Sequence, residues 1–537
     1  MYTEKIMLVA GLLFVVSLLT ILADKLRVSY PIFLVIAGCC ISFIPGVPRI
    51  RLDPDVVFVI FLPPLLYAAA WGTSWPDFWR SRRAISLLAL GLVLFTSTIV
   101  AYISNHMIAD FNLALGFLLG GIISPPDAVA ATSVTKGLSI PRRVTTILEG
   151  ESLVNDASSL IVYRFALAAF VSGSFSVWKA GGDFFIVSVM GVLIGLAIAH
   201  IVYAAHRFLP TNSSVDTALT LISPYFAYLA AEHFHFSGVL AVVSAGLFLT
   251  WRSSDIFSFQ TRIQAISVWN TIVFLLNGVV FIMIGLQLPD IVEGLGEYSL
   301  HESVIYGLAV SGVSILMRII WVFAGAYLPW LLSGKVRKTE DRPNWKSVFI
   351  IAWSGMRGVV SLAAALALPI TLDNGTVFQQ RNLILFITFI VIVVTLVIQG
   401  LSLPLLIKWL GVNGDEDNIQ VTEKELRLNL AYAAIEHIEE TVSNQEASQD
   451  AIHHIKSKYE RRIDQANEQM LTIAATEHST DLFREYNQLQ VGLIHFERET
   501  LKQMRRQKTY SEELLRKLEF ELDLEEARLL NIRGNRM

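Results

Sequence analysis

From Ile6 to Leu410 the chain alternates long apolar runs with short polar or charged connections. A helix needs about 20 apolar residues to cross the hydrocarbon of a bilayer. On that ruler, spans are predicted at Ile6–Ala23, Val28–Ile44, Val56–Trp71, Ala84–Ile103, Leu113–Ser133 and Thr146–Val171. Others follow at Phe184–Ala205, Val215–His233, Gly238–Trp251, Ile263–Leu288, Val304–Leu332, Ser347–Thr371 and Asn382–Leu410. The pattern therefore predicts an all-α polytopic membrane protein with about thirteen transmembrane helices. Ile6–Ala23 is read as a retained span rather than a signal peptide, because Lys5 with Glu4 beside it is a thin basic region.

Beyond Val412 the character changes. Asn413–Asn418 is a polar linker, and Glu423–Val442 and Tyr510–Ile532 show helical spacing with mixed charge. No stretch there is apolar enough to span. The expected division is a transmembrane domain over residues 1–411 and a cytoplasmic, mainly helical tail over 412–537. That tail is either a solvated appendage or a regulatory or dimerising one.

Orientation follows from Lys and Arg in the connections. With the N-terminus outside, Lys25/Arg27, Arg80/Arg82/Arg83, Lys136/Arg142/Arg143, Arg207 and Arg252/Arg262 all face the cytoplasm. So does the dense Lys335/Arg337/Lys338/Arg342/Lys346 loop. The opposite connections include the acidic Asp290–Glu302 and the nearly neutral Asn105–Asn112; Arg49/Arg51 alone dissents. An odd number of spans delivers the charged tail to the cytoplasm, so the two readings agree.

Composition adds little to this. With 54% hydrophobic and 16% charged residues among 537, the chain is not an ordinary soluble protein, and a net charge of −4 gives no sign of a nucleic-acid partner. Cys39 and Cys40 are adjacent, too close for an ordinary structural disulfide.

Candidate chemistry lies in the apolar runs themselves. Asp127 follows Pro125–Pro126 near the middle of one run, and Glu151, Asn155 and Asp156 lie within the next. A carboxylate at bilayer depth costs roughly 2.5–3.5 kcal/mol even on a lenient insertion scale, so the default reading is an ion or proton site. Two prolines remove two backbone donors and disfavour helix at the preceding residue. A helix break is therefore predicted beside Asp127, a device by which transporters build ion sites at the midplane. At 3.6 residues per turn, Ser152 and Asp156 share a helix face, with Glu151 and Asn155 on the adjacent one. The Asp156 carboxylate and Ser152 hydroxyl are hard oxygen ligands suited to a small cation. The alternative is a polar cluster that merely joins helices.

A third signal is Trp353–Ser361, where Gly355 and Gly358 flank Arg357 deep in a span and predict a second loosened helix. Arg357 needs a buried partner, as does Arg318 in the preceding span. Glu151 is the acid expected to pair with one of them, and the sequence does not choose. Pro63–Pro64 marks another interrupted span. Asn270 and Asn277, seven apart, read as packing contacts rather than ligands. No HExxH, Walker A, GxSxG or paired CxxC pattern is present, so hydrolase and ATPase readings have no motif.

Taken together, Leu62-Pro63-Pro64-Leu65, Asp127-Ala128-Val129-Ala130, Gly150-Glu151-Ser152-Leu153-Val154-Asn155-Asp156 and Gly355-Met356-Arg357-Gly358 resemble the monovalent cation/proton antiporter family, which includes bacterial and animal sodium/proton exchangers. The likeness covers roughly Met1–Leu410. It implies two inverted repeats, a dimerisation bundle, a moving core bundle and broken helices that cross near the site. It also implies that Asp156 alternately binds cation and proton, with Asp127 and Ser152 as direct or water-mediated ligands of transported Na⁺. Asn155 corresponds to the neutral member of an Asn-Asp pair that goes with electroneutral exchange, and Glu151 with an arginine to a structural ion pair. Two positions depart from the family: Pro126 stands where Thr or Val is usual, and Ala68 replaces an acid. Ion preference and entry route stay open accordingly.

The expectation is a plasma-membrane antiporter of bacterial type. It exchanges Na⁺, or also Li⁺ or K⁺, for H⁺ by alternating access, and serves pH and sodium homeostasis. It needs no cofactor, since Na⁺ and H⁺ are cargo. It is expected to be a homodimer in the lipid bilayer, with a tail open to a regulatory ligand or protein. The rival is a cation channel using the same acids, although no repeated acidic or carbonyl ring suggests a filter. An intramembrane aspartyl protease would show a GxGD element, which is absent.

Overall fold

The computed structural model describes residues 2–26, 28–45, 57–135, 138, 140–173, 177–296, 298–339, 341–372 and 377–412, with short stretches between 428 and 526. Among the described residues regular structure is helical, apart from one isolated antiparallel bridge between Thr371 and Val377. The chain divides into two compact units, Met1–Gly414 and Asp415–Met537.

In the first unit a helix, or a pair of half-helices, stands at each predicted run. Eight among the described residues are long and apolar enough to cross a membrane, namely Ile6–Leu26, Trp75–Met107, Leu113–Thr135, Arg142–Ser172, Ala180–Phe208, Gln260–Glu293, Leu300–Leu332 and Arg381–Leu410. The shortfall from about thirteen has physical causes. Tyr30–Ser42, Phe58–Gly72 and Gly238–Trp251 are apolar but short. Ser213–His233 carries Asp216 in its first turn, and the stretch from Trp345 to Leu366 is interrupted.

Local chemistry sets the helix ends. Asn112, Asn212, Ser258 and Asn344 cap helix starts, each side chain accepting a backbone N–H two or three residues on at 2.9–3.2 Å. Gly173 and Gly411 close helices in the left-handed conformation (φ 66° and 58°) that glycine adopts without strain. Pro63 and Pro64 sit in the first turn of Leu62–Gly72, where their missing N–H groups have no helical acceptor anyway; a π-helical turn, Val57–Phe61, precedes them. A second π-helical turn, Leu87–Leu92, lies within Trp75–Met107. Carbonyls of that turn accept from other helices: Leu87 O from Trp321 Nε1 at 2.9 Å, and Ala89 O from Ser158 Oγ at 2.5 Å.

Packing then brings the interrupted helices to the centre. Leu113–Ile123 lies against Val93–Met107 through Gly116 and Gly120, where an added Cβ would stand 2.6 Å from Ala101 Cα and Ser97 Cα respectively. Two small residues one turn apart let backbones approach this closely. Two apolar clusters result. One includes Ile122, Ile123, Met356, Leu362 and Phe386, and the other Tyr67, Ala227, Val242 and Trp269. The Arg142–Ser172 helix contributes to both, giving Ile147, Leu148 and Tyr163 to the first and Leu153 and Ala157 to the second. It therefore runs along the seam between them.

In the second unit Leu428, Ala431 and Ile463 are buried, with Ile435 and Tyr459 packed on them, and Lys456 Nζ meets Glu439 Oε1 at 2.5 Å. The Asn413–Asn418 linker, nearly half of Glu423–Val442 and most of Tyr510–Ile532 lie outside the described residues, as do Arg27, Arg49, Arg51 and Lys136.

Candidate functional site

The first interruption falls at Ser124–Asp127. One half-helix ends at Ile123 and the next begins at Ala128, with Pro125 and Pro126 between them. Asp127 caps the second half, its Oδ1 accepting from Val129 N at 2.8 Å and Ala130 N at 3.3 Å. Its own N–H donates to Met356 O at 2.7 Å, in the second interruption, so the two breaks meet through their backbones. The site helix holds the first break from the other side. Asn155 Nδ2 donates to Pro126 O at 3.3 Å, and Ser152 Oγ accepts from Ala128 N at 3.4 Å.

The second interruption separates Trp345–Trp353 from Val359–Leu366, with Gly355, Met356, Arg357 and Gly358 inside it. A side chain at Gly358 would collide with the Asp127 carboxylate, so the crossing requires a residue without a Cβ there.

Breaking a helix in an apolar interior frees carbonyls that must find donors. Two buried arginines supply them. Arg357 donates from Nε to Ile123 O at 2.5 Å, from Nη1 to Gly355 O and from Nη2 to Ser314 Oγ at 2.8 Å, while its N–H meets Thr395 Oγ1 at 3.1 Å. Among the described residues its guanidinium thus bonds to neutral oxygens. Arg318 is the partner of Glu151, donating to both carboxylate oxygens at 2.6 and 2.9 Å, and its Nη2 also reaches Ile351 O at 3.1 Å and Ser354 O at 3.4 Å. Both members of that pair are buried.

Asp127, Ser152 and Asp156 come together on one cavity of about 70 Å³. This exceeds the roughly 10–15 Å³ that one water needs, so the cavity can take water or a partly dehydrated cation. Pro125, Pro126 and Gly358 also line it. Asn155 is fully buried and turns its amide nitrogen to the Pro126 carbonyl instead. Asn277 and Ser361 line the same cavity. Sequence reasoning set Asn277 aside beside Asn270, but Asn270 is exposed whereas Asn277 is 2% exposed. Nothing in the sequence marked Ser361, or the Ser314 and Thr395 hydroxyls that hold Arg357.

This arrangement can desolvate a small cation, surround it with carboxylate and hydroxyl oxygens, and accept a proton in its place. The sequence matches the family described as sodium/hydrogen exchanger, transmembrane, over residues 11–409. An uncharacterised Na(+)/H(+) exchanger of Mycobacterium tuberculosis (strain ATCC 25618 / H37Rv) is 31% identical over 540 residues, covering 98% of this chain and 97% of that protein. A sodium, potassium, lithium and rubidium/H(+) antiporter of Bacillus subtilis (strain 168) is 34% identical over 414 residues, covering 73% of this chain and 61% of that one. In fold the chain resembles the sodium proton antiporter MjNhaP1 of Methanocaldococcus jannaschii, with a TM-score of 0.61 at 20% identity, across 76% of this chain and 99% of that one. A match that takes in both broken helices and the carboxylates between them places the chain in the sodium/hydrogen exchanger family, multi-pass membrane transporters that exchange Na⁺ for H⁺ and are not enzymes.

Proposed function

We propose that the exchanger works by alternating access, with Asp156 as the carboxylate that binds cation and proton in turn. The observation carrying this reading is that Asp127, Ser152 and Asp156 line one small cavity where two broken helices cross. Cation and proton compete for the same carboxylate charge, so occupancy by one species displaces the other. Asp127 and Ser152 supply further oxygens to the cation. Glu151 and Arg318 act as a structural pair, and Asn155 holds the first break. The position of the Arg142–Ser172 helix on the seam between two apolar clusters supports a motion in which one cluster slides past the other and carries the site with it.

Na⁺ is the physiological cation, with Li⁺ and K⁺ as further substrates; the range in the name of the Bacillus subtilis relative supports this. Exchange is one for one and electroneutral provided that Asp127 keeps one charge state through the cycle, since Asn155 adds no titratable proton beside Asp156. The protein works as a homodimer in the bacterial plasma membrane, N-terminus outside and tail cytoplasmic, as the Lys and Arg distribution favours. The tail tunes pH or ion dependence through a ligand or protein. The decisive test is Asp156→Asn in proteoliposomes: the amide neither titrates nor neutralises a cation, so Na⁺-driven proton movement should vanish. Exchange at the native rate would defeat the reading, and Na⁺ flux without counter-movement of protons in the native protein would indicate a channel.

A further inference from the structure

The cavity has polar lining that the two carboxylates and Ser152 do not account for. Asn277, from the Phe259–Leu286 helix, and Ser361, from the Val359–Leu366 half-helix, both reach it. They are 2% and 1% exposed. Among the described residues, Ser361 Oγ has no hydrogen-bond partner. Buried polar groups are rarely left so, and each such case calls for an explanation.

Packing does not provide one. The Asn277 amide faces the Tyr30 hydroxyl of the Tyr30–Ser42 helix, a contact that joins the two helices, but nothing comparable holds Ser361. A helical serine usually returns its hydroxyl to a carbonyl three or four residues back, as Ser158, Ser159, Thr132 and Thr395 do around this site. Ser361 is the third residue of its half-helix, so those acceptors belong to Arg357 and Gly358 in the interruption. There the backbone is not helical (Gly358 φ −142°, ψ −145°), and the return bond is not made. The break that brings Gly358 against Asp127 thereby also leaves the Ser361 hydroxyl available.

We propose that Asn277 and Ser361 are cation-selecting residues of the exchanger, supplying neutral oxygens that complete the coordination begun by Asp127, Asp156 and Ser152. The inference rests on the reading of this cavity as the exchange site. Two carboxylates give the charge, which any monovalent cation and a proton would accept. Discrimination among cations of different radius comes from the number and placement of neutral oxygens that replace their water. A hydroxyl offers its oxygen directly. An amide can donate its N–H to one neighbour, here the Tyr30 hydroxyl, and still offer its carbonyl oxygen to a cation in the cavity it lines. A proton needs neither oxygen, so the two residues weigh on the cation half of the cycle.

The test uses full-length protein in proteoliposomes, with Na⁺, Li⁺ and K⁺ each titrated as the driving ion. Ser361→Ala removes one oxygen and little volume; Asn277→Leu removes the amide but keeps the space filled. Each should raise the KM for Na⁺ by about tenfold and change the ratio of KM values between Na⁺ and K⁺. Native KM values and native ratios in both variants would overturn the proposal, as would a native KM in Asn277→Leu beside a raised one in Asn277→Ala, which would mean packing alone. If Asn277→Leu does not fold, Ser361→Ala decides the matter by the same measure. Asp156→Asn run alongside separates the two readings. If it still exchanges, the site itself is misassigned. If it is inert while both variants keep native selectivity, only this inference fails.

Discussion

Replacing Glu151 by Gln tests the architecture most sharply, because it changes one oxygen for one nitrogen at a buried pair. Arg318 is 0% and Glu151 1% exposed, and two bonds of 2.6 and 2.9 Å join them. Breaking one partner of such a pair costs about 3–5 kcal/mol, because the remaining charge stays buried without compensation. Glutamine keeps one acceptor but turns an NH₂ toward the guanidinium. Ile351 O and Ser354 O continue to accept from Arg318 Nη2, which offsets part of the loss and points to the lower end of the range. A cost of about 3 kcal/mol lowers the folded-to-unfolded ratio about a hundredfold. The assay is the melting of purified protein in detergent, followed by the loss of the monodisperse peak on size exclusion after heating. Glu151→Gln should melt several degrees below the native protein. Adding Arg318→Met should recover part of the loss, since the stranded charge is gone, but not all, since two carbonyls at the second break then lack their donor. A single variant that melts like the native protein, or a double variant whose loss is the sum of the two singles, would refute a coupled structural pair.

Three further outcomes are expected. Asp127→Asn should cripple exchange yet melt near the native temperature, because asparagine caps a helix as well as aspartate does; equal losses in both assays would contradict this. Vesicles whose potential is set by a gradient of a permeant anion such as thiocyanate, with Na⁺ as the transported ion and K⁺ absent, should exchange at a rate indifferent to potential. One net charge at 100 mV is worth about 2.3 kcal/mol, so a steep dependence would expose a second charge in the cycle. Deleting residues 413–537 should leave insertion and exchange intact while altering pH or concentration dependence, and a folded but inert truncation would put the tail inside the transport machinery.

What the sequence made legible were the places where it breaks its own local rules. Pro125–Pro126 and Asp127 in an apolar run, and Arg357 between glycines, violate helix propensity and hydropathy at once, and both helices are interrupted there. Residues that violate nothing stayed hidden. Arg318 and Arg357 look alike in sequence, and the choice between them depends on which one the packing turns toward Glu151. Two of the Arg357 guanidinium's acceptors are backbone oxygens, which carry no residue signature at all, and the third is the hydroxyl of Ser314. Asn270 and Asn277 have the same side chain seven residues apart, and only neighbouring helices distinguish the exposed one from the buried one. Ser361 reads as an unremarked small residue until the break removes its usual acceptor.

The way Arg357 is held bears on how this protein can change over generations. Its bonds to Ile123 and Gly355 end on main-chain oxygens, which are present whatever side chain those positions carry. Drift at residue 123 therefore leaves the tie untouched as long as the apolar packing survives. Altering Ser314, its one side-chain acceptor at the guanidinium, cannot compensate for losing the arginine, because the two carbonyls would still lack their donor. Glu151 and Arg318 are the opposite case: two side chains, each replaceable if the other changes with it. A deep substitution library should accordingly find paired solutions at 151 and 318, broad tolerance of apolar residues at 123, and almost none at 357.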